Sequence, residues 1–577
     1  MRLIHVEQGV FGQFKSDVRS EHFYLSGKAH PLDELKATLR AFHQEDTADK
    51  EHAICRFPAR YIWLKQRAPE LLQTPVSLKH CKKLQQWPAM QKNGAINLVH
   101  VSGYMGNPGS AFGHLLLRIG KKSDTPNRGL LDIGINFGAK IPPAENMLMY
   151  MIKGIGGGYD SSFSADRHYL RDHVYAESES RDMWAYELNL SQEQRQLLLL
   201  HLWELRNTAF SYYFLQKNCA WRIAQLLEIV LDKNIVPSLR PYYMPVDVFH
   251  AVDDLSNDTD FNLVNRISFL PSEARSTTLS FNTLELSKKQ RMRELIRQQE
   301  ASTIDDSWSS QELEILIDYS SQKISDSKTQ ADFDAWTTLR LKALQQRLST
   351  EGSTSRGTTF SMPPPGEGLR HQMLRLGVYN DEQEEKGVTL SVAPFSYESL
   401  DRNRGSLANG VFRGGVFNFE YRDQQSKLDS LELIKVARLR GQASIERSIL
   451  DFAWRGSLVA DRSWRSEYGD LRPQFNAAIG QTIGKHQTSA YGLLQLKSNL
   501  KSFELQAGIA LGAVGFVGDH LSLQWESSQL WHQDYDDALT THTLQARYRL
   551  GRSQAFDIEF SRQQKINSWQ LAYQFRW

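Results

Sequence analysis

Beyond Leu369 the helical periodicity of the chain stops and strict alternation takes over. In Ser568-Trp-Gln-Leu-Ala-Tyr-Gln-Phe-Arg-Trp577, the residues Trp569, Leu571, Tyr573, Phe575 and Trp577 share one face. Leu544, Ala546, Tyr548 and Leu550 alternate with Gln545, Arg547 and Arg549, and Phe556, Ile558 and Phe560 alternate with Asp557 and Glu559. Leu505, Ala507, Ile509 and Leu511 repeat the pattern. A period of two gathers the apolar residues on one side of a strand. Each run approaches the roughly 9–11 residues of a tilted membrane-crossing strand, with one face for lipid and one for a polar interior. About twelve runs fit between Leu369 and Trp577, an even number, as in bacterial barrels. A soluble β-sandwich alternates too; strand length and number favour an antiparallel transmembrane β-barrel.

The stretch before it divides by texture. Residues 1–94 read as a helical N-terminal domain, with Pro31 starting a helix and Leu32, Leu35, Leu39 and Phe42 as its apolar stripe. In the aromatic and basic segment Cys55–Leu64, Arg56 and Arg60 are expected at a packing edge. Residues 95–270 open with short β-like runs, Ile96–Ser102, Phe112–Ile119 and Gly129–Phe137, separated by turn signals. The glycines of Lys153-Gly-Ile-Gly-Gly-Gly-Tyr159 fit neither a P-loop nor a dinucleotide fingerprint and suggest a flexible flap. Ser191 and Gln194 form a capping box for a helix in which His201 is a packing residue. Residues 271–349 are helical and charged, 350–368 form a Gly/Ser/Pro linker, and 369–577 form the barrel.

Bulk properties exclude several classes. With 68 basic and 66 acidic side chains, the net charge of +2 gives no field for nucleic acid. Three cysteines are too few for a disulfide-dense scaffold; Cys55 and Cys81 could pair in an oxidising compartment. No His/Cys/carboxylate cluster has metal-ligand spacing, so no metal or cofactor is expected. The N-terminus lacks the apolar core of a signal peptide, and no run is long enough for a membrane helix. An exported barrel therefore implies a mature form, or a start assigned too far downstream.

The reactive candidate is Cys219. Ile223, Leu226, Leu227 and Val230 recur at helical spacing after Asn218, so the thiol lies in a first helical turn. Free N–H groups and the helix dipole there favour thiolate. His114, a polar residue at the start of an apolar strand, is the candidate base. Asn136 or Asp132, which share a face of the next strand, could orient it. Ser110, Asn218, Tyr213, Gly156 and Gly157 are candidates for substrate or oxyanion contacts, and Phe112, Met147, Met149, Met151, Ile155 and Phe163 for an acyl groove.

The order histidine, polar residue, Cys-helix resembles the circularly permuted NlpC/P60 (papain-like) group that includes the lecithin:retinol acyltransferases. More closely, Ser110-Ala-Phe-Gly-His114, Ile135–Ala139, Tyr150–Tyr159, Arg181–Leu188 and Lys217-Asn-Cys-Ala-Trp-Arg222 resemble the periplasmic domain of Lnb-type lipoprotein N-acyltransferases. The terminal aromatic resembles the end of bacterial outer-membrane barrels. The resemblance implies an α+β chain: a permuted papain-like catalytic domain beneath the outer membrane, fused to a barrel of about 12 strands. It further implies acyl transfer from phospholipid through a Cys219 thioester to an amine, with a lipoprotein N-terminus as one acceptor. A thiol lipid hydrolase, a cell-wall peptidase and a non-catalytic barrel protein with a periplasmic binding domain are the alternatives.

Overall fold

The computed structural model describes residues 1–577 except 10, 45–51, 73–76, 93, 104–111, 121–131, 143–144, 168–180, 236–241, 258–260, 353–360, 383–385, 403–409, 423, 442–444, 446–450, 463–470, 486–487 and 533–534. The chain forms two compact units, Met1–Ser276 with Gly357–Gly366, and Thr277–Arg356 with Glu367–Trp577.

The first unit is built on seven antiparallel strands: β1 (Ala95–Val101), β2 (His114–Gly120), β3 (Ile133–Ala139), β4 (Tyr159–Arg167), β5 (Met183–Leu188), β6 (Phe210–Tyr212) and β7 (Val264–Leu270), in the order β6-β4-β3-β2-β1-β5-β7. Both faces of its centre are buried, which is why β1 and β2 read as nearly continuous apolar runs. Leu98, Leu115, Leu117, Ile135 and Phe137 face the main core; Val99, Val101, Leu116, Met183 and Ala185 form a second, smaller one. Against the sheet and its core stand helices α1 (Pro31–Phe42), α2 (Pro58–Arg67), α3 (Met147–Gly156), α4 (Gln192–Leu205), α5 (Cys219–Leu231) and α6 (Pro245–Ser256). The capping box at Ser191 and Gln194 starts α4 as its sequence dictates.

Among the described residues of 1–94, the buried apolar side chains have no separate core. Leu3, Phe23, Phe57, Tyr61 and Trp87 belong to the same cluster as Leu198, Cys219 and Leu226. Cys55 and Cys81 are disulfide-bonded, as an oxidising compartment permits. The stripe expected on α1 is displaced: Glu34 and Thr38 are buried, while Leu32 is 53% exposed. The cause is Arg60, whose buried guanidinium pairs with Glu34 at 2.5 Å, while Glu34 also accepts from the amides of Leu25 and Ser26. The end of the expected linker is likewise docked rather than free. The Tyr186 hydroxyl accepts from the amide of Gly366 at 3.1 Å, His250 bonds the Gly366 carbonyl, and the Met362 carbonyl accepts from Trp184.

In the second unit twelve antiparallel strands, from Met373–Asp381 to Ile566–Arg576, close on themselves. Met373 pairs with Arg576, and Val388 with Tyr421 past the short strand Phe395–Tyr397. The register decides between barrel and sandwich, because the apolar side faces outward. Leu374, Leu376, Val378, Ile558, Phe560, Leu571 and Phe575 are exposed, whereas Arg375, Arg547 and Gln574 point into the lumen. That inversion suits lipid outside and water inside. After Pro394 the chain turns inward: Phe395–Tyr397, Glu398, Leu400 and Asp401 are all buried. Asp401 pairs with Arg547 at 2.5 Å and Arg576 at 2.8 Å; Glu398 pairs with Arg375 at 2.6 Å and also with Arg547. Residues Phe281–Ala343 supply a helical core that includes Ile445, whose carbonyl accepts from Arg293.

Candidate active site

Asn218 begins helix α5. Its Oδ1 accepts from the Trp221 amide at 3.2 Å, and its Nδ2 donates to the carbonyls of Phe214 and Tyr243 at 3.0 and 2.7 Å. The side chain's oxygen and both amide hydrogens are thus engaged in fixing the helix start. Cys219 follows as the first helical residue, 5% exposed. The backbone of Leu115, Ala220 and Cys219 itself favours the thiolate electrostatically. Leu115, which follows His114 on β2, lies in the same buried cluster as Cys219.

The ladder between β2 and β3 pairs Leu116–Ile119 with Asn136–Ile133. Asn136 therefore lies diagonally across from His114, and its Oδ1 is bonded to His114 Nε2. An amide oxygen only accepts, so Nε2 donates in this bond. Asp132 does not reach this pair. It lies beyond the far end of the ladder, its side chain fills the space beside Gly120, and it stands 3.6 Å from Arg118 Nε.

The thiol differs from expectation. Burial pushes its pKa up to about 11, outweighing the amides and the Arg181 charge that favour thiolate. Desolvation here opposes the helix terminus and favours the neutral thiol. Arg181, 2% exposed with Nε donating to the Ser102 carbonyl at 2.6 Å, has no role in the motif reading. It opens the stretch Arg181–Leu188, two residues before the strand Met183–Leu188. Behind it His100 is buried, its pKa pushed down to about 3 by desolvation, then by Arg181 and His114.

The remaining candidates separate. The glycine-rich stretch is a helix end, not a flap: Gly156 closes α3, and Gly157 caps it at φ 77° with its N–H spent on the Lys153 carbonyl. The Tyr213 ring fills the space where a Cβ on Gly157 would sit. Ser110 lies outside the described residues. The acyl-groove candidates do not form one wall: Phe163 is buried against Phe137, whereas Met149, Met151 and Ile155 are exposed. An apolar cavity of about 350 Å³ lies at the other end of α5, against Ile229 and Asp232.

One turn after Cys219, Arg222 is fully buried. It pairs with Asp17, donates to Gln225 at 2.7 Å, approaches His5 Nδ1 at 3.2 Å and lies over the Phe210 ring. His5 meets His201 at 3.2 Å, and His201 meets Glu204 at 3.1 Å. Glu204 in turn accepts from the amides of Ala59 and Arg60. A continuous buried polar chain thus ties the Cys219 helix to the N-terminal segment.

Residues 83–254, which hold every member of this site except the N-terminal brace, match the family described as the Lnb N-terminal periplasmic domain. The chain carries an Lnb domain. Two domains of unknown function, DUF7843 and DUF7840, match residues 1–67 and 363–577. No curated protein matches the chain. Among solved structures, the KdgM porin in complex with disordered oligogalacturonate is 7% identical, covering 36% of this chain and 99% of that one at a TM-score of 0.25. The NanC porin is 9% identical, covering 35% and 100% at 0.25. Omp33 of Acinetobacter baumannii is 10% identical, covering 36% and 100% at 0.23. The chain thus joins a stretch similar to the Lnb N-terminal periplasmic domain to a closed twelve-strand β-barrel whose apolar side faces outward. Among the described residues no helix is long and apolar enough to cross a membrane.

Proposed function

We propose that the Lnb domain is a cysteine-dependent acyltransferase working at the periplasmic face of the outer membrane. The observation that carries this reading is a buried thiol in the first turn of α5, packed in one core with Leu115 of β2, the strand that opens with a histidine whose Nε2 is bonded to Asn136. In the first half-reaction His114 Nδ1 takes the thiol proton as Sγ attacks an ester carbonyl of a phospholipid. The Cys219 amide at the helix start stabilises the oxyanion. The carbon–oxygen bond breaks, the lysophospholipid alkoxide takes the proton from His114, and a thioester remains. In the second, an amine attacks the thioester, the carbon–sulfur bond breaks, and the amine proton passes through His114 back to sulfur. The motif resemblance implies a lipoprotein N-terminus as the amine.

Intact mass measurement of the full chain incubated with phospholipid tests this. Wild type is expected to gain a hydroxylamine-sensitive acyl group that Cys219→Ser lacks. Asn136→Leu and His114→Ala are expected to form it about 10²–10⁴-fold more slowly. An identical adduct on Cys219→Ser would refute the thioester. Transfer to water in place of an added diacylglyceryl peptide would make the enzyme a hydrolase. A wild type that stays unmodified would leave a binding domain on a barrel.

A further inference from the structure

Helix α3 is built inside out. Its domain-facing side carries Tyr150, whose ring lies 4.8 Å from that of Phe214, and Gly154, whose missing side chain leaves room for that ring. The Gly154 carbonyl also accepts from the Phe214 amide at 2.8 Å. Its solvent side carries Met149, Met151, Ile152 and Ile155, the two isoleucines 56% and 55% exposed. At 3.6 residues per turn these four and Gly156 span roughly 160° of the helix, the arc a soluble helix turns toward its core. Ile141 and Leu215 are exposed as well, and Leu215 stands four residues before Cys219. Lysines accompany the apolar residues: Lys140 precedes Ile141, Lys153 in the last turn of α3 pairs with Glu145 at 2.8 Å, and Lys217 lies 3.5 Å from Glu7.

We propose that this face of α3, with Ile141 and Leu215, is the surface through which the Lnb domain dips into a phospholipid leaflet. The proposal rests on the acyl-transfer reading, for which it names the route of the donor. The occupant is lipid because the same chain carries a lipid-facing barrel, so this domain stays within reach of a bilayer. The chemistry agrees. Unbranched thioether and branched aliphatic side chains offer apolar area without a hydrogen-bonding group, and the lysines suit phosphate headgroups, the pattern of a helix lying in an interface. On its other side and at its end, α3 meets Phe214 and Tyr213, in the segment that leads into the Cys219 helix start.

The test uses the full chain in phospholipid vesicles, in a Cys219→Ser background with the disulfide intact. An environment-sensitive fluorophore is placed in turn at Ile152→Cys, Ile155→Cys, the lipid-facing barrel position Leu571→Cys and the exposed α1 position Lys36→Cys. Phospholipids brominated in their acyl chains are expected to quench positions 152, 155 and 571 but not 36. Quenching at 571 without quenching at 152 and 155 would overturn the proposal. In the chain that retains Cys219, Ile152→Glu with Ile155→Glu is expected to slow adduct formation from vesicles at least about tenfold. Equal rates would also overturn it. Quenching in a chain that forms no adduct would refute acyl transfer and leave the lipid surface standing.

Discussion

Because Cys55 and Cys81 are joined, Cys219 is the one free thiol, and its titration can be followed in the intact protein. Burial moves its pKa from 9.0 to about 11, and two units correspond to about 3 kcal/mol of preference for the neutral form. At pH 8 the thiolate fraction is then about 10⁻³, against about 10⁻¹ for an unperturbed thiol. Alkylation by iodoacetamide, followed by intact mass, is expected to run about a hundredfold slower than for a small-molecule thiol of pKa 9. Its rate should climb about tenfold per pH unit between pH 7 and 10. His114→Ala should keep that slope, since the imidazole acts only when substrate arrives. A plateau below pH 8, abolished by His114→Ala, would refute the reasoning; it would mean that the resting pair is thiolate and imidazolium and that the helix terminus outweighs desolvation.

Three further outcomes follow from buried charge. Asp17→Ala leaves the Arg222 guanidinium buried without its carboxylate, so urea unfolding of the Lnb unit should show a loss of about 3–5 kcal/mol, with Asp17→Ala/Arg222→Met losing less. His5 is held well below its usual pKa by burial, then by Arg222 and His201, and His100 is lowered to about 3. The unfolded chain binds protons at these sites below pH 6.5 while the folded chain does not, so this stability is present above pH 6.5 and lost on acidification. Thermal melts should show a decline of about 1.4 kcal/mol per pH unit from His100 between pH 6 and 4, with His5 adding to it in the same direction. In the barrel, Asp401→Asn weakens the anchor of the inward segment against Arg547 and Arg576. Planar-bilayer recordings should show larger or more frequent conductance than for the parent chain, whereas unchanged currents would mean that the segment does not block the lumen.

What could be read from residues alone was what depends on near neighbours. Alternation fixed the barrel because a strand sorts its own side chains, and Asn218 announced the Cys219 helix because capping acts within one turn. His114 and Asn136 were legible as a pair, but parity could not separate Asn136 from Asp132. Only the register, with Leu116 opposite Asn136, sends Asp132 to Arg118. The thiol's protonation was misjudged because a helix start is visible in sequence and desolvation is not. Nothing in their neighbourhood marks Glu34 or Arg222 as buried, since their partners lie 26 and 205 residues away. Ser396-Tyr-Glu-Ser-Leu-Asp401 has the composition of a surface loop and gives no hint that arginines from distant strands draw it inward.

The brace behind Cys219 bears on how this protein can be divided. Asp17 falls within the match to residues 1–67 and Arg222 within the match to 83–254, while Cys81 belongs to neither. A recombinant fragment starting at 83 would carry a fully buried guanidinium with no counter-charge, no His5 beside it and neither half of the disulfide. The borders at which this chain is recognised among its relatives are therefore not borders at which it can be cut. Whatever their separate ancestries, the first two hundred and fifty residues fold, or fail to fold, as one inheritance.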